Sequence, residues 1–345
     1  MKTLATDVVI IGAGPVGIFQ IFELGLQGLK AVVIDSVAEL GGQCSQLYPD
    51  KPIYDIPAIP VASAQAIIDG LAKQASPFQA KYLLSNKVIE IDKVSEQLFW
   101  VKTDKGMSVK CRAIIIAAGS GAFEPVRLKV KGIEAFENRQ LFYRVKDKNL
   151  YTDKNIVVLG GGDSAFDWAL TLQPIAKSVL LIHRTTNFRA SQASIDSMEK
   201  LCDNHEMQFL SGQVVDYKKD GDVLNKLIVQ SSGIKRTVDV DHLLVFFGLS
   251  PKIGPIADWA LKMNHHQICV DTEKFQTSVS GIYAVGDINY YPGKRKLILS
   301  GFHEAALAAF AIKQSMDTSK RVATLYTTTS PILHKLINPA DISEQ

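Results

Sequence analysis

Asp7-Val-Val-Ile-Ile-Gly-Ala-Gly-Pro-Val-Gly17 is the stretch from which the fold can be read. Four β-branched apolar residues in a row suit a strand buried on both faces, as in a parallel sheet. Gly12, Gly14 and Gly17 then follow the G-x-G-x-x-G spacing, and Val16 to Leu24 has helical composition. In that spacing the first glycine allows a tight turn and the second lets backbone approach a pyrophosphate. The third lets helix and strand pack closely, with the phosphates at the positive helix N-terminus. A second strand, Lys30-Ala-Val-Val-Ile-Asp35, completes a β-α-β unit.

The same unit recurs downstream. Asn155-Ile-Val-Val-Leu-Gly160 is a strand, Gly160-Gly-Gly162-Asp-Ser-Ala165 a glycine turn of the G-x-G-x-x-A form, and Asp163 to Leu172 a helix. Ser178-Val-Leu-Leu-Ile-His183 is its second strand. One such motif is weak evidence, because glycine is common; two, each in a complete β-α-β setting, are strong. Gly160, Gly162, Asp163 and Ser164 are candidate contacts for the second dinucleotide. The residue ending each second strand separates the two sites. Asp35 suits a ribose hydroxyl and would repel a 2′-phosphate, whereas His183-Arg184, with Arg189 close behind, offers guanidinium groups to one. Between the units, Val88–Asp92 and Leu98–Lys102 alternate like a hairpin. Ala113–Gly119 and Gly281–Asp287 repeat the strand-to-glycine form, and an alanine-rich helix runs from about His303 to Lys313. The last twenty residues, with Pro331 and Pro339, read as an extended tail.

Bulk properties narrow the class. Of 345 residues, 47% are hydrophobic and 21% charged, ordinary for a globular chain of about two domains. The balance of 38 basic to 35 acidic residues is too even to argue for nucleic acid. The uncharged run Val8–Phe22 is too short to span a bilayer, so no membrane partner is expected. Cys44, Cys111, Cys202 and Cys269 lie far apart, without a C-x-x-C or metal-ligand cluster. That spacing fits a reducing cytoplasm better than a secreted disulfide framework.

These motifs, in this order, resemble the two-dinucleotide-binding-domain flavoproteins, and most closely the thioredoxin-reductase family. Gly281–Asp287 looks like that family's second FAD motif, and Gly41-Gly-Gln43 like its loop beside the isoalloxazine. His183-Arg-Thr-Thr-Asn-Phe-Arg189 looks like its NADPH-phosphate segment, with Thr185 where a second arginine usually stands. The redox dithiol is missing. Phe136 to Tyr151 holds no cysteine, and Pro49 stands five positions after Cys44, where the glutathione-reductase relatives have their second thiol. What fits is the thioredoxin-reductase-like class of ferredoxin–NADP+ reductases. Gly41–Asp55, Gly119–Pro125, Gly160–Ala169 and Ser300–Ala305 are similar to it.

That resemblance implies an α/β fold of two Rossmann-like domains of the three-layer ββα type, the NADPH domain (119–283) inserted into a discontinuous FAD domain (1–118 and 284–345). It implies FAD contacts at Asp35, Gln43, Tyr48, Val88, Phe123 and Asp287. Tyr48 and Tyr326 would be the flavin-stacking rings, and Thr328 a further contact in the C-terminal extension. No side-chain acid or base is expected, because the cofactors carry the chemistry. The implied activity is hydride transfer between NADP(H) and FAD coupled to one-electron exchange with ferredoxin or flavodoxin, in a cytoplasmic homodimer. An NAD(P)H:quinone or diaphorase-type reductase and a non-enzymatic flavin redox sensor are the alternatives. Lys294, Arg295 and Lys296 read either as a docking patch for an acidic partner or as a solvated loop.

Overall fold

A computed structural model describes residues 2–145, 147–317 and 327–336, and within it the chain forms two compact units. The first comprises residues 1–122 and 251–345, the second 123–250. The sequence places the junctions at 118/119 and 283/284. The larger difference is at the second, and packing explains it. Ile253, Ile256, Leu261 and Ile268 are buried in the same apolar cluster as Val9, Phe99 and Ile114 of the first unit. The two crossing segments, Ala122–Pro125 and Leu249–Lys252, pair in a two-stranded sheet.

The first unit is built on five parallel strands in the order Ile282–Ala284, Ala113–Ile116, Val8–Ile11, Ala31–Ile34 and Lys81–Leu83. Val8–Ile11 is central, and all four of its residues are buried. Alternate side chains go to opposite faces. Val8, Ile10, Val33 and Ile115 join one cluster with residues of helices Pro15–Leu26, Ala64–Ala75 and Ile298–Met316. Val9, Ile11, Val32, Ile34 and Ile114 join another with Phe99, Val101 and Val109 of a four-stranded sheet. That sheet runs Lys2–Ala5, Met107–Cys111, Leu98–Thr103, Val88–Ser95, and its last pair is the hairpin read from the sequence. Helices, parallel sheet and antiparallel sheet form the three layers expected.

The second unit repeats the plan. Its parallel order is Leu141–Phe142, His242–Val245, Asn155–Leu159, Ser178–His183, Gln208–Ser211. Ile156, Val158 and Leu181 share a cluster with Phe166, Leu172 and Met198 of helices Asp163–Leu172 and Gln192–Asp203. Val157, Leu159, Ile182 and Leu243 share another with Leu224, Leu227 and Val229 of a three-stranded antiparallel sheet. Of the tail expected to be extended, residues 327–336 are described, and they are not extended throughout. Pro331–Leu336 is a short helix, with Pro331 in its first position, where no amide hydrogen bond is lost.

Because Ile10 is wholly buried at the sheet centre, Ile10→Ala should cost about 2–5 kcal/mol. Val94→Ala, at a strand position 59% exposed, should stay within about 0.5 kcal/mol. Denaturant unfolding of both variants checks the contrast.

Candidate functional site

Parallel strands end on one edge, so in the first unit Gly12, Asp35 and Gly286-Asp287 come to the carboxyl end of a single sheet, the place where open α/β sheets bind ligands. Steric limits define the first glycine loop. Gly12 has φ +110°, and a Cβ there would lie 2.4 Å from the Ala117 carbonyl oxygen. A Cβ on Gly17 would lie 2.0 Å from the Gly12 oxygen, so helix and turn touch backbone to backbone. A Cβ on Gly14 meets nothing within 4 Å. Gly14 caps helix Pro15–Leu26 without a side-chain hydrogen bond, and the helix starts with proline. Its first-turn amides are therefore left for an outside acceptor, at the positive end of the helix dipole. This cradle fits a pyrophosphate.

Asp35 braces that loop as well as facing it. Its carboxylate accepts the Ala13 amide at 2.6 Å and the Val37 amide at 3.0 Å. Burial pushes its carboxyl above the ordinary range, and these amide donors pull it back. Each oxygen keeps acceptor capacity for a ribose hydroxyl. The Ala13 carbonyl accepts the Gly41 amide at 2.8 Å, and a Cβ on Gly42 would come within 3.2 Å of Gly14 Cα. The Gly41-Gly42 turn thus lies directly against the first loop and leads into helix Gln43–Leu47. Gln43 and Tyr48 are half-buried, and Cys44 is buried with Sγ 3.9 Å from the Tyr48 hydroxyl. Burial raises both the thiol and the phenol, and the Asp287 carboxylate raises them further, so this loop and Asp287 share one electrostatic environment.

Asp287 stands on the turn Gly286–Ile288. Burial pushes its carboxyl up, Lys294 and Lys296 lower it, and Glu304 raises it. The sequence reading assigns no role to Glu304. It is wholly buried in helix Ile298–Met316 and accepts from the Gly286 amide at 2.7 Å, Asn289 Nδ2 at 2.8 Å and the Tyr291 hydroxyl at 3.0 Å. It also pairs with Lys294, whose side chain is 4% exposed. That corrects the basic patch, because Lys294 is a buried partner of Glu304 and only Arg295 and Lys296 of the three are exposed. A signal was present. Gly301, Glu304, Ala305, Ala308 and Ile312 fall on one helical stripe, which places a carboxylate on the buried face.

The remaining expected contacts divide. Val88 opens its strand with its side chain buried in the cluster of Phe99 and Val101, so only its backbone is left for a ligand. Phe123 lies in the crossing strand Ala122–Pro125, and Thr328 is exposed in the turn Thr327–Thr329. Tyr326 lies outside the described residues.

The second unit carries its own cradle. A Cβ on Gly160 would lie 2.6 Å from the Phe246 oxygen, and one on Gly161 would lie 2.5 Å from the His183 ring. Gly162 caps helix Asp163–Leu172 without a side-chain bond, and Ser164 is exposed in its first turn. The Asp163 carboxylate accepts the Ser191 amide at 3.0 Å, and the Arg189 amide donates to the Gly161 carbonyl at 2.6 Å. The segment bearing Arg184 and Arg189 is therefore stitched to the glycine loop, with both arginines exposed. Burial, and then Arg184, holds the His183 imidazole below its ordinary value. This arrangement suits a dinucleotide whose ribose carries a phosphate. Among the described residues no group of three or more His, Cys, Asp or Glu could hold a metal ion, and no helix is long and apolar enough to cross a membrane.

Residues 6–314 match the family described as pyridine nucleotide-disulphide oxidoreductase. The chain is 61% identical over 336 residues to a protein of Colwellia psychrerythraea named ferredoxin–NADP reductase, covering 97% of this chain and 96% of the relative. It is 53% identical over 332 residues to ferredoxin–NADP reductase 2 of Cupriavidus necator, covering 96% and 90%. Among solved structures it is similar to the thioredoxin reductases of T. acidophilum (TM-score 0.72, 22% identity, 90% of this chain and 99% of that one) and Lactococcus lactis (0.73, 22%, 90% and 98%). At that identity the likeness concerns the fold.

The glycine geometry separates two substitutions. Gly17→Ala must push backbone apart and should cost several kcal/mol, about the scale of an overpacked core. Gly14→Ala meets open space and should cost no more than about 1 kcal/mol, the usual loss at a helix cap. Calorimetry of the two apoproteins tests this ordering.

Proposed function

We propose that this chain, which belongs to the pyridine nucleotide-disulphide oxidoreductase family, is an FAD-dependent ferredoxin–NADP+ reductase. One observation carries the reading. The chain has two dinucleotide cradles of opposite charge character, one ending in Asp35 and one in Arg184, and no second thiol beside Cys44. All four cysteines are free, and Cys44 is buried beside Tyr48. Electrons therefore leave by a route other than an enzyme dithiol, which suits an external one-electron carrier.

The first unit is the FAD site. Gly12, Gly14 and Gly17 admit the pyrophosphate to the helix end, Asp35 receives the adenosine ribose, and Asp287 receives the polyol chain. Gln43, Tyr48, the Val88 backbone, Phe123 and Thr328 complete it, with Tyr48 and Tyr326 as the stacking rings. In the second unit, Gly160, Gly162, Asp163 and Ser164 take the NADPH pyrophosphate end, and Arg184 and Arg189 its 2′-phosphate. The bound cofactors supply the hydride and one-electron chemistry, so the protein's part is to bind, orient and exclude water. The partner is an acidic ferredoxin or flavodoxin, steered by exposed cations such as Arg295 and Lys296. The working form is a cytoplasmic homodimer.

Ferredoxin reduction by NADPH, followed under anaerobic conditions, tests the activity. Electron delivery to ferredoxin supports the reading, and turnover with quinones alone overturns it. Arg184→Ala and Arg189→Ala should each raise KM for NADPH about tenfold or more, the loss of a charge-assisted phosphate contact, with KM for NADH little changed. An equal rise for both coenzymes would contradict the assignment of the 2′-phosphate.

A further inference from the structure

We propose that Glu304, locked by Lys294, is the positioning residue of the first dinucleotide site, fixing the turn that presents Asp287 to the polyol hydroxyls of FAD. The inference rests on the reading that FAD occupies the first unit.

The hydrogen bonds argue for it. The carboxylate of Glu304 gathers donors from four points along nine residues: the Gly286 amide, Asn289 Nδ2, the Tyr291 hydroxyl and Lys294 Nζ. Asn289 Nδ2 also donates to the Ala284 carbonyl at 3.0 Å, which ties the turn back to the sheet. From the other side, Gln267 Nε2 donates to the carbonyls of Asp287 at 3.2 Å and Asn289 at 2.6 Å. The backbone on both sides of Asp287 is held, yet among the described residues nothing hydrogen-bonds its carboxylate. A half-buried carboxylate that accepts no hydrogen bond from the described residues, inside a clamped turn, is poised for an outside donor.

Gly286 makes the clamp necessary. Its φ of +78° is a left-handed turn conformation, and glycine pays the largest loss of backbone freedom to hold it. Helix Ile298–Met316 supplies the anchor. A Cβ on Gly301 would lie 2.3 Å from Val16 Cγ2 and 3.4 Å from Gly286 Cα, so the turn, the anchor helix and the helix of the first glycine loop meet at close range. Stability alone does not explain the ion pair. A fully buried pair gives about the same stability as well-packed apolar residues of similar volume, whereas removing one partner is costly. Lys294 also acts on Asp287 itself, because its ammonium opposes the rise that burial imposes on that carboxyl.

The test is FAD binding to apoprotein, read by quenching of flavin fluorescence, with folding checked by circular dichroism. Lys294→Met and Asp287→Asn should each weaken FAD binding by about tenfold or more, the scale of a lost charged hydrogen bond. If Lys294 acts through Asp287, Lys294→Met in the Asp287→Asn background should change affinity less than about twofold. Lys294→Arg should restore most of the loss. Should Lys294→Met fail to fold, Lys294→Met/Glu304→Gln, which leaves no unpaired buried charge, takes its place in the cycle. The inference is overturned if the loss is the same with and without Asp287, or if the folded double variant binds FAD like the natural protein. Failure of the natural apoprotein to take up FAD would instead remove the underlying reading.

Discussion

The contact between the Gly17 backbone and the Gly12 carbonyl sets the geometry on which the first site depends. With no side chain between them, helix Pro15–Leu26 starts directly over the end of strand Val8–Ile11. Its uncapped first turn then opens at the sheet edge, beside Asp35 and the Gly41-Gly42 turn. Any side chain at Gly17 would lift the helix and carry the amide donors away from the others. The second unit solves the same problem with other atoms, since Gly160 passes beneath Ala165 and against the Phe246 carbonyl.

Two kinds of layer hold each cradle still. Central strands buried on both faces place helices on one side and an antiparallel sheet on the other, so each loop grows from a rigid floor. What differs between the units is the chemistry at the rim. Asp35 holds its own loop through the Ala13 and Val37 amides, so in the proposed site the shape of the loop and the group offered to a ribose are coupled. The Arg189 amide does the equivalent in the second unit while its side chain stays exposed. A carboxylate stands at one glycine loop and guanidinium groups at the other, so similar scaffolds carry opposite charge at their rims.

Much of this was legible in the sequence, because the deciding signals are local. An unbroken β-branched run, a glycine spacing and the residue ending the next strand all lie within about 30 positions, the span of one β-α-β unit. The duplicated units, the three layers and the position of Asp287 on a strand-end turn follow from such signals. The elements that escaped are those fixed by distant partners. Strand Gln208–Ser211 is placed by its pairing with Ser178–His183, strand Val223–Ser231 buries Leu224, Leu227 and Val229 in one cluster with Val157 and Leu159, and residues 251–283 join the first unit through the apolar contacts of Ile253 and Ile268. Glu304 escaped for a related reason. Its donors come from a turn that the sequence shows only as Gly-Asp followed by an ordinary basic loop, so Lys294 looked like surface charge.

The claim that two distinct dinucleotide sites act in series is tested most directly by anaerobic titration of the purified protein with NADPH while the flavin absorbance band is followed. The account predicts a bound flavin that NADPH bleaches readily, that NADH bleaches poorly, and whose colour returns on addition of oxidised ferredoxin. A protein that binds no flavin, or a bound flavin that neither coenzyme bleaches, would contradict it.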